Sequence, residues 1–202
     1  MSGIVLRRVS KAYGEEQVLE NFSAVFPAGE TTCILGPSGC GKTTLLNLIA
    51  GLQKADAGEI EGVPERIAFV FQEDRLSEDF SAVSNVRLVT GKKVPKEEII
   101  ARLKEIGLGD SLKKPVRELS GGMKRRVAIV RAICYRPELL ILDEPFKGLD
   151  EKLRGEVMDF VKRNTAGKTV ICVTHERDDA NRLGGGIIEM EKLPVRNDPV
   201  SE

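Results

Sequence analysis

With 202 residues, 41% of them apolar and 31% charged, the chain can bury one sizeable core and a subdomain but is short for two full domains. Lysine plus arginine and aspartate plus glutamate balance at 31 each, so there is no global positive field for nucleic acid or anionic lipid. No run approaches 18 apolar residues and the amino terminus lacks a signal-peptide pattern, so any membrane role is expected to come by docking onto another chain.

Residues 4–9 alternate loosely and read as an edge strand. A second apolar stretch, 18–26, ends at Pro27-Ala28-Gly29-Glu30, and the two predict an antiparallel piece beside a main sheet. Tyr13, between them, has two readings: an exposed ring able to stack on a base, or a packing tyrosine at a strand end. After the apolar run Thr32-Cys33-Ile34-Leu35 comes Gly36-Pro37-Ser38-Gly39-Cys40-Gly41-Lys42-Thr43-Thr44, then a second apolar run over 45–50. This is G-x-x-x-x-G-K-[ST] in its strand–loop–helix context. The glycines let successive N–H groups point inward, and a helix starting near Lys42 adds its positive end. Lys42 supplies a charge for the β- and γ-phosphates, and the Thr43 hydroxyl is placed to hold Mg²⁺. A plain glycine-rich turn needs neither the lysine nor the hydroxyl.

Gly51 ends the helical periodicity as a C-cap. Residues 58–62 and 67–71 predict two short strands, the second buried and followed at once by Gln72 and the irregular Glu73-Asp74-Arg75. Residues 81–89 and 96–106 have helical apolar spacing, punctuated by Pro95 and Gly107, which makes this middle portion a candidate helical subdomain. Leu119-Ser120-Gly121-Gly122-Met123 opens another helix with Ser120 near its cap. Lys124, Arg125 and Arg126 then crowd the wrong end for the helix dipole, each at a cost of a few tenths of a kcal/mol, roughly. An anion approaching the backbone at Gly121 and Gly122 is expected to relieve them.

Residues 139–142 are continuously apolar, as in a strand buried on both faces of a parallel sheet, and end in Asp143-Glu144-Pro145. Asp143 can contact the Mg²⁺ shell while Glu144 polarises an attacking water. Phe146-Lys147-Gly148-Leu149-Asp150 leads into an amphipathic helix marked by Leu153, Val157, Phe160 and Val161. Residues 170–173 form a further buried strand that runs into Thr174-His175-Glu176. His175, the only histidine, would be read as structural in isolation, but its placement decides otherwise. Leu35, Phe71, Leu142 and Val173 each close an apolar run, and Gly36, Gln72, Asp143–Glu144 and His175 follow within two residues. In an open parallel sheet the carboxyl ends of the strands share one edge, where ligands bind. One more short strand at Ile187-Ile188 and a polar tail expected to fray complete the chain. Cys33, Cys40, Cys134 and Cys172 stand singly and read as buried thiols in a reducing cytoplasm rather than as disulfides or zinc ligands.

At these residues the chain resembles the ATP-binding cassette (ABC) ATPases, along most of its length. The decisive mark is Leu119-Ser120-Gly121-Gly122-Met123, the family's signature loop, between a Walker A loop and a Walker B strand in the right order. The resemblance implies an α/β P-loop NTPase (RecA-like) fold: a parallel-sheet core with an N-terminal antiparallel β piece and a helical subdomain. It implies one ABC ATPase domain over 1–202, the core about 1–72 and 135–202 and the helical subdomain about 73–134. It further implies that Tyr13 stacks on adenine and that Gly36 through Thr44 wrap the phosphates. Lys42, Gln72 (the Q-loop glutamine), Glu144 (the catalytic carboxylate) and His175 (the switch histidine) form the catalytic set. Thr43, Gln72 and the Walker B aspartate Asp143 hold Mg²⁺, and residues 148–150 look like the D-loop. The family works as head-to-tail dimers, which implies a homodimer with ATP between one copy's phosphate loop and Ser120, Gly121 and Gly122 of the other.

Phe71-Gln72-Glu73-Asp74-Arg75-Leu76 and the run from Ser120 to Ala128 resemble the ATPase subunits of nitrate/sulfonate/taurine-type importers. That implies Mg²⁺-dependent ATP hydrolysis coupled to membrane-spanning permease subunits and a substrate-binding protein, with no nucleic-acid partner. The implied location is cytoplasmic, peripheral on the inner face of the cell membrane. Three departures stand out: Met123 where glutamine is commoner, a short 58–72 segment, and no regulatory domain after the last strand. Repair-type relatives need a long coiled-coil insertion and translation-type relatives carry two cassettes, so neither fits. An inactive cassette is disfavoured by the presence of Lys42, Glu144 and His175.

Overall fold

The computed structural model describes residues 3–193; the polar tail expected to fray lies from 194 onward, outside the described residues. Five parallel strands form the main sheet in the order β5-β6-β7-β3-β8: β3 Thr31–Leu35, β5 Ile67–Val70, β6 Leu139–Asp143, β7 Thr169–Val173 and β8 Gly186–Glu189. Their register pairs Leu139–Asp143 with Thr169–Val173, and Ile34 with Val173. All the carboxyl ends therefore share one edge, as the apolar runs require.

Both faces of the sheet are covered, and the alternation within each strand divides the core in two. Leu139, Ile141, Ile171, Val173 and Ile34 pack with α1 (Lys42–Ile49) and the antiparallel sheet. Leu140, Leu142, Val170, Cys172, Cys33 and Leu35 pack on the opposite side with the helices that follow β5 and β6. Each fully buried aliphatic contributes about 1.5–3 kcal/mol relative to exposure, which is why β6 tolerates no polar residue before Asp143. All four cysteines are buried and free, with Cys33 and Cys172 side by side in register.

The antiparallel piece consists of β1 (Ile4–Tyr13), β2 (Glu16–Phe26) and β4 (Ala57–Glu61) in the order β2-β1-β4. The expected edge position of residues 4–9 is corrected: β1 is the central strand, with β4 on its second side. A short acid-rich strand such as Ala57–Glu61 carries too little apolar signal to announce that pairing.

Between β5 and β6, α2 (Ala82–Thr90), α3 (Lys96–Glu105) and α4 (Gly121–Cys134) pack on one another. Ser81 caps α2 by accepting from the Ser84 N–H, and Ser120 caps α4 from Met123. Then α5 (Glu151–Asn164) follows β6 and α6 (Arg177–Leu183) follows β7. The sequence pattern gave no warning of α6, which is short and carries apolar residues only at Ala180 and Leu183.

After α6, Gly184 and Gly185 turn the chain into β8. Gly185 has φ +117°, and a Cβ there would lie 2.0 Å from the Thr31 carbonyl oxygen. Gly167 also has positive φ (+71°) but open space around it. Gly185→Ala should therefore cost about 3 kcal/mol or more, and Gly167→Ala only about 1–2 kcal/mol, in urea unfolding. Equal losses at the two positions would contradict the close approach of β3 and β8.

Candidate active site

The loop between β3 and α1 is shaped by what its glycines avoid. A Cβ on Gly36 would lie 2.4 Å from the Met190 carbonyl oxygen, and one on Gly41 (φ +94°) would lie 2.9 Å from Val18 Cγ1. The β1–β2 hairpin thus presses against the base of the loop, while Pro37, Ser38 and Gly39 form its exposed lip. Lys42, only 6% exposed, folds back so that Nζ donates to the Gly36 carbonyl (2.8 Å) and the Pro37 carbonyl (2.7 Å), with Cys40 Sγ at 3.8 Å. α1 has no side-chain cap and no acid in its first turn, so its leading N–H groups and Lys42 face the same lip. That arrangement suits a polyanion.

One hydrogen bond joins this loop to the end of β6: Thr43 Oγ1 donates to Asp143 Oδ2 at 2.9 Å. Asp143 is 2% exposed. Burial pushes its carboxyl above the ordinary aspartate range and adjacent Glu144 adds to this, while Thr43, Lys42 and Arg125 oppose it. A hydroxyl and a carboxylate in contact are hard oxygen donors. They fit Mg²⁺, which takes one or two carboxylates and fills its remaining positions from phosphate and water. Among the described residues no group of three His, Cys, Asp or Glu side chains could cage a metal without such help.

Glu144 follows with φ +48°, a left-handed backbone for a side chain that avoids it, worth about 1–2 kcal/mol of strain. Its N–H donates to the Val173 carbonyl at 3.0 Å, which extends the β6–β7 ladder by one step. That step places Glu144 Oε1 against His175 Nε2. Lys147 Nζ lies 3.0 Å from Glu144 Oε2, a charge contact rather than a directed hydrogen bond. Burial raises the Glu144 carboxyl, but Lys147 and His175 together outweigh it and hold the group below the ordinary glutamate value. His175 also lines a cleft of about 510 Å³ with Leu35, Gly36 and Pro37, which brings it to the phosphate-loop lip.

Among the described residues, the other candidates form no hydrogen bond to this cluster. Tyr13 ends β1, 44% exposed, with its hydroxyl donating to Gln53 Oε1. Lys11 Nζ lies over this ring, 5.6 Å from its centre. Gln72 is exposed beyond β5, and the contact it makes is through its backbone carbonyl. The Ser120–Gly122 turn has residues 146–150 for a neighbour, since a Cβ on Gly122 would lie 3.1 Å from Leu149 Cδ2.

Residues 19–147 match the family described as ABC transporter. The chain belongs to the ABC transporter family. It is 39% identical over 196 residues to the aliphatic sulfonates import ATP-binding protein SsuB 1 of Paraburkholderia xenovorans, covering 94% of this chain and 57% of that protein. It is 37% identical over 212 residues to the spermidine/putrescine import ATP-binding protein PotA of Pasteurella multocida, covering 96% of this chain and 57% of that one. The chain thus spans somewhat over half the length of these curated relatives. Among solved structures, it resembles the dimeric post-hydrolysis state of the ATP-binding cassette MJ0796 bound to ADP and Pi. That likeness has a TM-score of 0.82 and 31% identity, over 94% of this chain and 96% of that one.

In this ABC chain the three cations at the start of α4 have partners within the chain. Lys124 pairs with Glu78 at 3.1 Å. Arg126 donates to the Gly122 carbonyl at 3.1 Å and the Ile106 carbonyl at 2.8 Å. Arg125 donates to the carbonyls of Phe71 (2.5 Å) and Gln72, with its Nε 3.2 Å from Asp74. Each bond to a charged group contributes about 1.5–3 kcal/mol, more than the dipole penalty of a few tenths. Sequence reasoning missed Arg125 as the residue that holds the Gln72 segment. The available signal was its pairing with Asp74, which periodicity cannot reveal.

Arg125→Met removes the donors to two carbonyls and the foremost of three cations (Arg125, Lys124, Arg131) that oppose the burial-raised Asp74 carboxyl. It should lower stability by about 3 kcal/mol in urea unfolding and speed amide exchange across residues 71–76. Unchanged exchange in that segment would show that other contacts hold it.

Proposed function

We propose that this cassette binds ATP with Mg²⁺ and hydrolyses it as the ATPase subunit of an importer. The observation that carries this reading is the Thr43–Asp143 hydrogen bond, which joins a lysine-bearing phosphate loop to the strand end that carries Glu144 against His175. Lys42 meets the β- and γ-phosphates in place of the Gly36 and Pro37 carbonyls, and residues Gly36 through Thr44 wrap them. Thr43 and Asp143 would hold the Mg²⁺, with Gln72 as a further ligand. Bound there, Mg²⁺ supplies positive charge where the leaving phosphate becomes more negative. Glu144 accepts the hydrogen bond of the attacking water and orients it. His175 fixes the Glu144 carboxylate and borders the γ-phosphate, and Tyr13 offers its exposed ring to adenine.

The single chain supplies only part of such a site. Ser120, Gly121 and Gly122 of a second copy, at the capped N-terminus of α4, close over the γ-phosphate, so that two copies bury two nucleotides head to tail. Two features support this: the exposed Ser120–Gly121 turn, and the dimeric, ADP-bound state described for MJ0796. Because each nucleotide binds both copies, association is linked to ATP concentration.

The domain divides into a core of about 1–72 and 135–202 and a helical part of about 73–134. The permease docks in the groove beside Gln72 and residues 73–90, where Phe80, Leu88 and Val89 are 47%, 58% and 43% exposed. Attachment at the inner face is through those permease subunits, served by a substrate-binding protein; among the described residues no helix is long and apolar enough to cross a membrane. Relatives named for sulfonates and for spermidine/putrescine match almost equally well, so substrate choice lies with those partners.

Glu144→Gln should lower ATP turnover by about a hundredfold or more while ATP binding persists, and should elute as an ATP-dependent dimer. Turnover at the wild-type rate would remove Glu144 from its role. Failure of the Mg²⁺-loaded wild type to take up ATP at millimolar levels would remove the whole reading. In a separate test, Leu88→Glu should leave basal ATP turnover intact and abolish co-purification with the membrane-spanning partner. Retention of that partner would place docking elsewhere.

A further inference from the structure

The segments that carry Glu144 and His175 lead directly into α5 and α6, and these two helices are cross-braced. On the surface, Arg182 of α6 binds Asp159 of α5 (3.1 and 2.8 Å), and Lys162 Nζ donates to the Arg182 carbonyl at 3.2 Å. Gly155 makes room for this, since a Cβ there would lie 2.7 Å from Arg182 Nη1. Exposed pairs of this kind contribute little stability.

The third brace is buried at its acidic end. Asp179, 3% exposed, uses one carboxylate oxygen to accept from two donors: Arg154 Nη2 of α5 at 2.6 Å and Thr174 Oγ1 at 2.8 Å. The Thr174 hydroxyl in turn accepts from the Glu176 N–H at 3.2 Å. His175 is therefore the middle residue of a turn pinned on both sides. Arg154, Thr174 and Asp179 border a cavity of about 250 Å³ together with Glu144 and His175. A partly buried ion pair of this sort adds little net stability over apolar residues of the same volume. What apolar residues could not supply is a fixed backbone path through 174–176.

We propose that Arg154, Asp179 and Thr174 form a positioning relay that sets the His175 ring against Glu144. The inference rests on the ATPase reading for its consequence in turnover but not for its geometry. Without the Thr174 hydroxyl the turn loses its link to Asp179 and the Glu176 N–H loses its acceptor. The imidazole, 39% exposed and held by little else, then departs from Glu144. Thr174 touches neither substrate nor the reacting atoms and acts only through His175.

The test compares Thr174→Val, which keeps the shape and removes the hydroxyl, with Thr174→Ser, which restores it, and Asp179→Asn, which keeps the shape of the acceptor and removes its charge. His175 is the only histidine, so its ring nitrogen resonances in NMR report a single site without overlap. Thr174→Val should shift those resonances and lower kcat about tenfold, because displacements of an ångström or less have effects of that order. KM for ATP should stay within about twofold, as expected when an interaction specific to the transition state is lost. Thr174→Ser should recover both readouts. Wild-type resonances and kcat in Thr174→Val, with only a lowered melting temperature, would overturn the relay and leave a structural hydroxyl. Should Thr174→Val not fold, Asp179→Asn carries the same two readouts. If the wild type itself does not hydrolyse ATP, the ATPase reading fails, while the imidazole resonances still decide the relay.

Discussion

Asp143 sits at the end of a strand whose every other residue is apolar, and its carboxylate is almost wholly removed from water. A buried carboxylate is tolerated only with partners. Here the hydrogen-bonding partner is Thr43, the first residue after the phosphate-loop lysine. That requirement ties the loop after β3 to the end of β6, two strands that are not neighbours in the sheet because β7 lies between them. The register of three strands, the position of α1 and the depth of the loop all have to agree for the two oxygens to meet at 2.9 Å. The rest of the site is arranged around this contact. Glu144 is one residue beyond it, and His175 reaches Glu144 because β7 is the strand beside β6.

Strain and flexibility divide along the same line. The groups closest to the Thr43–Asp143 contact are held: Lys42 by two carbonyls, and Glu144 by His175 and Lys147 despite a left-handed backbone. Strain of this size persists only where surrounding contacts over-determine it, and such positions concentrate at functional sites. The ladder bond from Glu144 N–H to Val173 supplies much of that determination. By contrast Tyr13, Gln72, Ser120 and Gly121 are exposed. Under the proposed function these are the groups that a base or a second copy has to organise, so the cost of ordering them falls on binding rather than on folding.

What was legible in the sequence was largely what depends on local pattern. The continuous apolar runs at β6 and β7 mark strands buried on both faces, and the glycine spacing before Lys42 marks a loop that must admit backbone N–H groups. Both are short-range signals, and the parallel rule for strand ends then brings Gly36, Asp143, Glu144 and His175 to one edge. The errors share a physical origin in long-range pairing. β1 reads as an edge because β4, its second neighbour, lies more than forty residues away in sequence and has acids at two of its five positions. Helix α6 escaped notice because its stability comes from Ala180 and Leu183 meeting the core and from braces to α5, not from an apolar stripe.

The first turn of α4 shows how magnitude decides between two sound arguments. Three cations at a positive helix end are unfavourable, and from that fact alone an external anion is a reasonable inference. Yet the dipole term for an exposed charge is a few tenths of a kcal/mol, whereas a guanidinium bonded to a carbonyl contributes roughly 1.5–3 kcal/mol. Arg125 and Arg126 each make such bonds, to the segments around Phe71–Gln72 and Ile106. The helix therefore carries its cations because they fasten the neighbouring loops, and no anion is needed to account for them. The consequence is mechanical: Gln72 and the Ser120–Gly122 turn are fastened to the two ends of the same four-residue stretch. Under the proposed function, a shift of α4 that seats the glycines on nucleotide would load the bonds from Arg125 to the Phe71 and Gln72 carbonyls. The internal partners of these cations leave the backbone N–H groups at Gly121 and Gly122 to whatever ligand the turn meets.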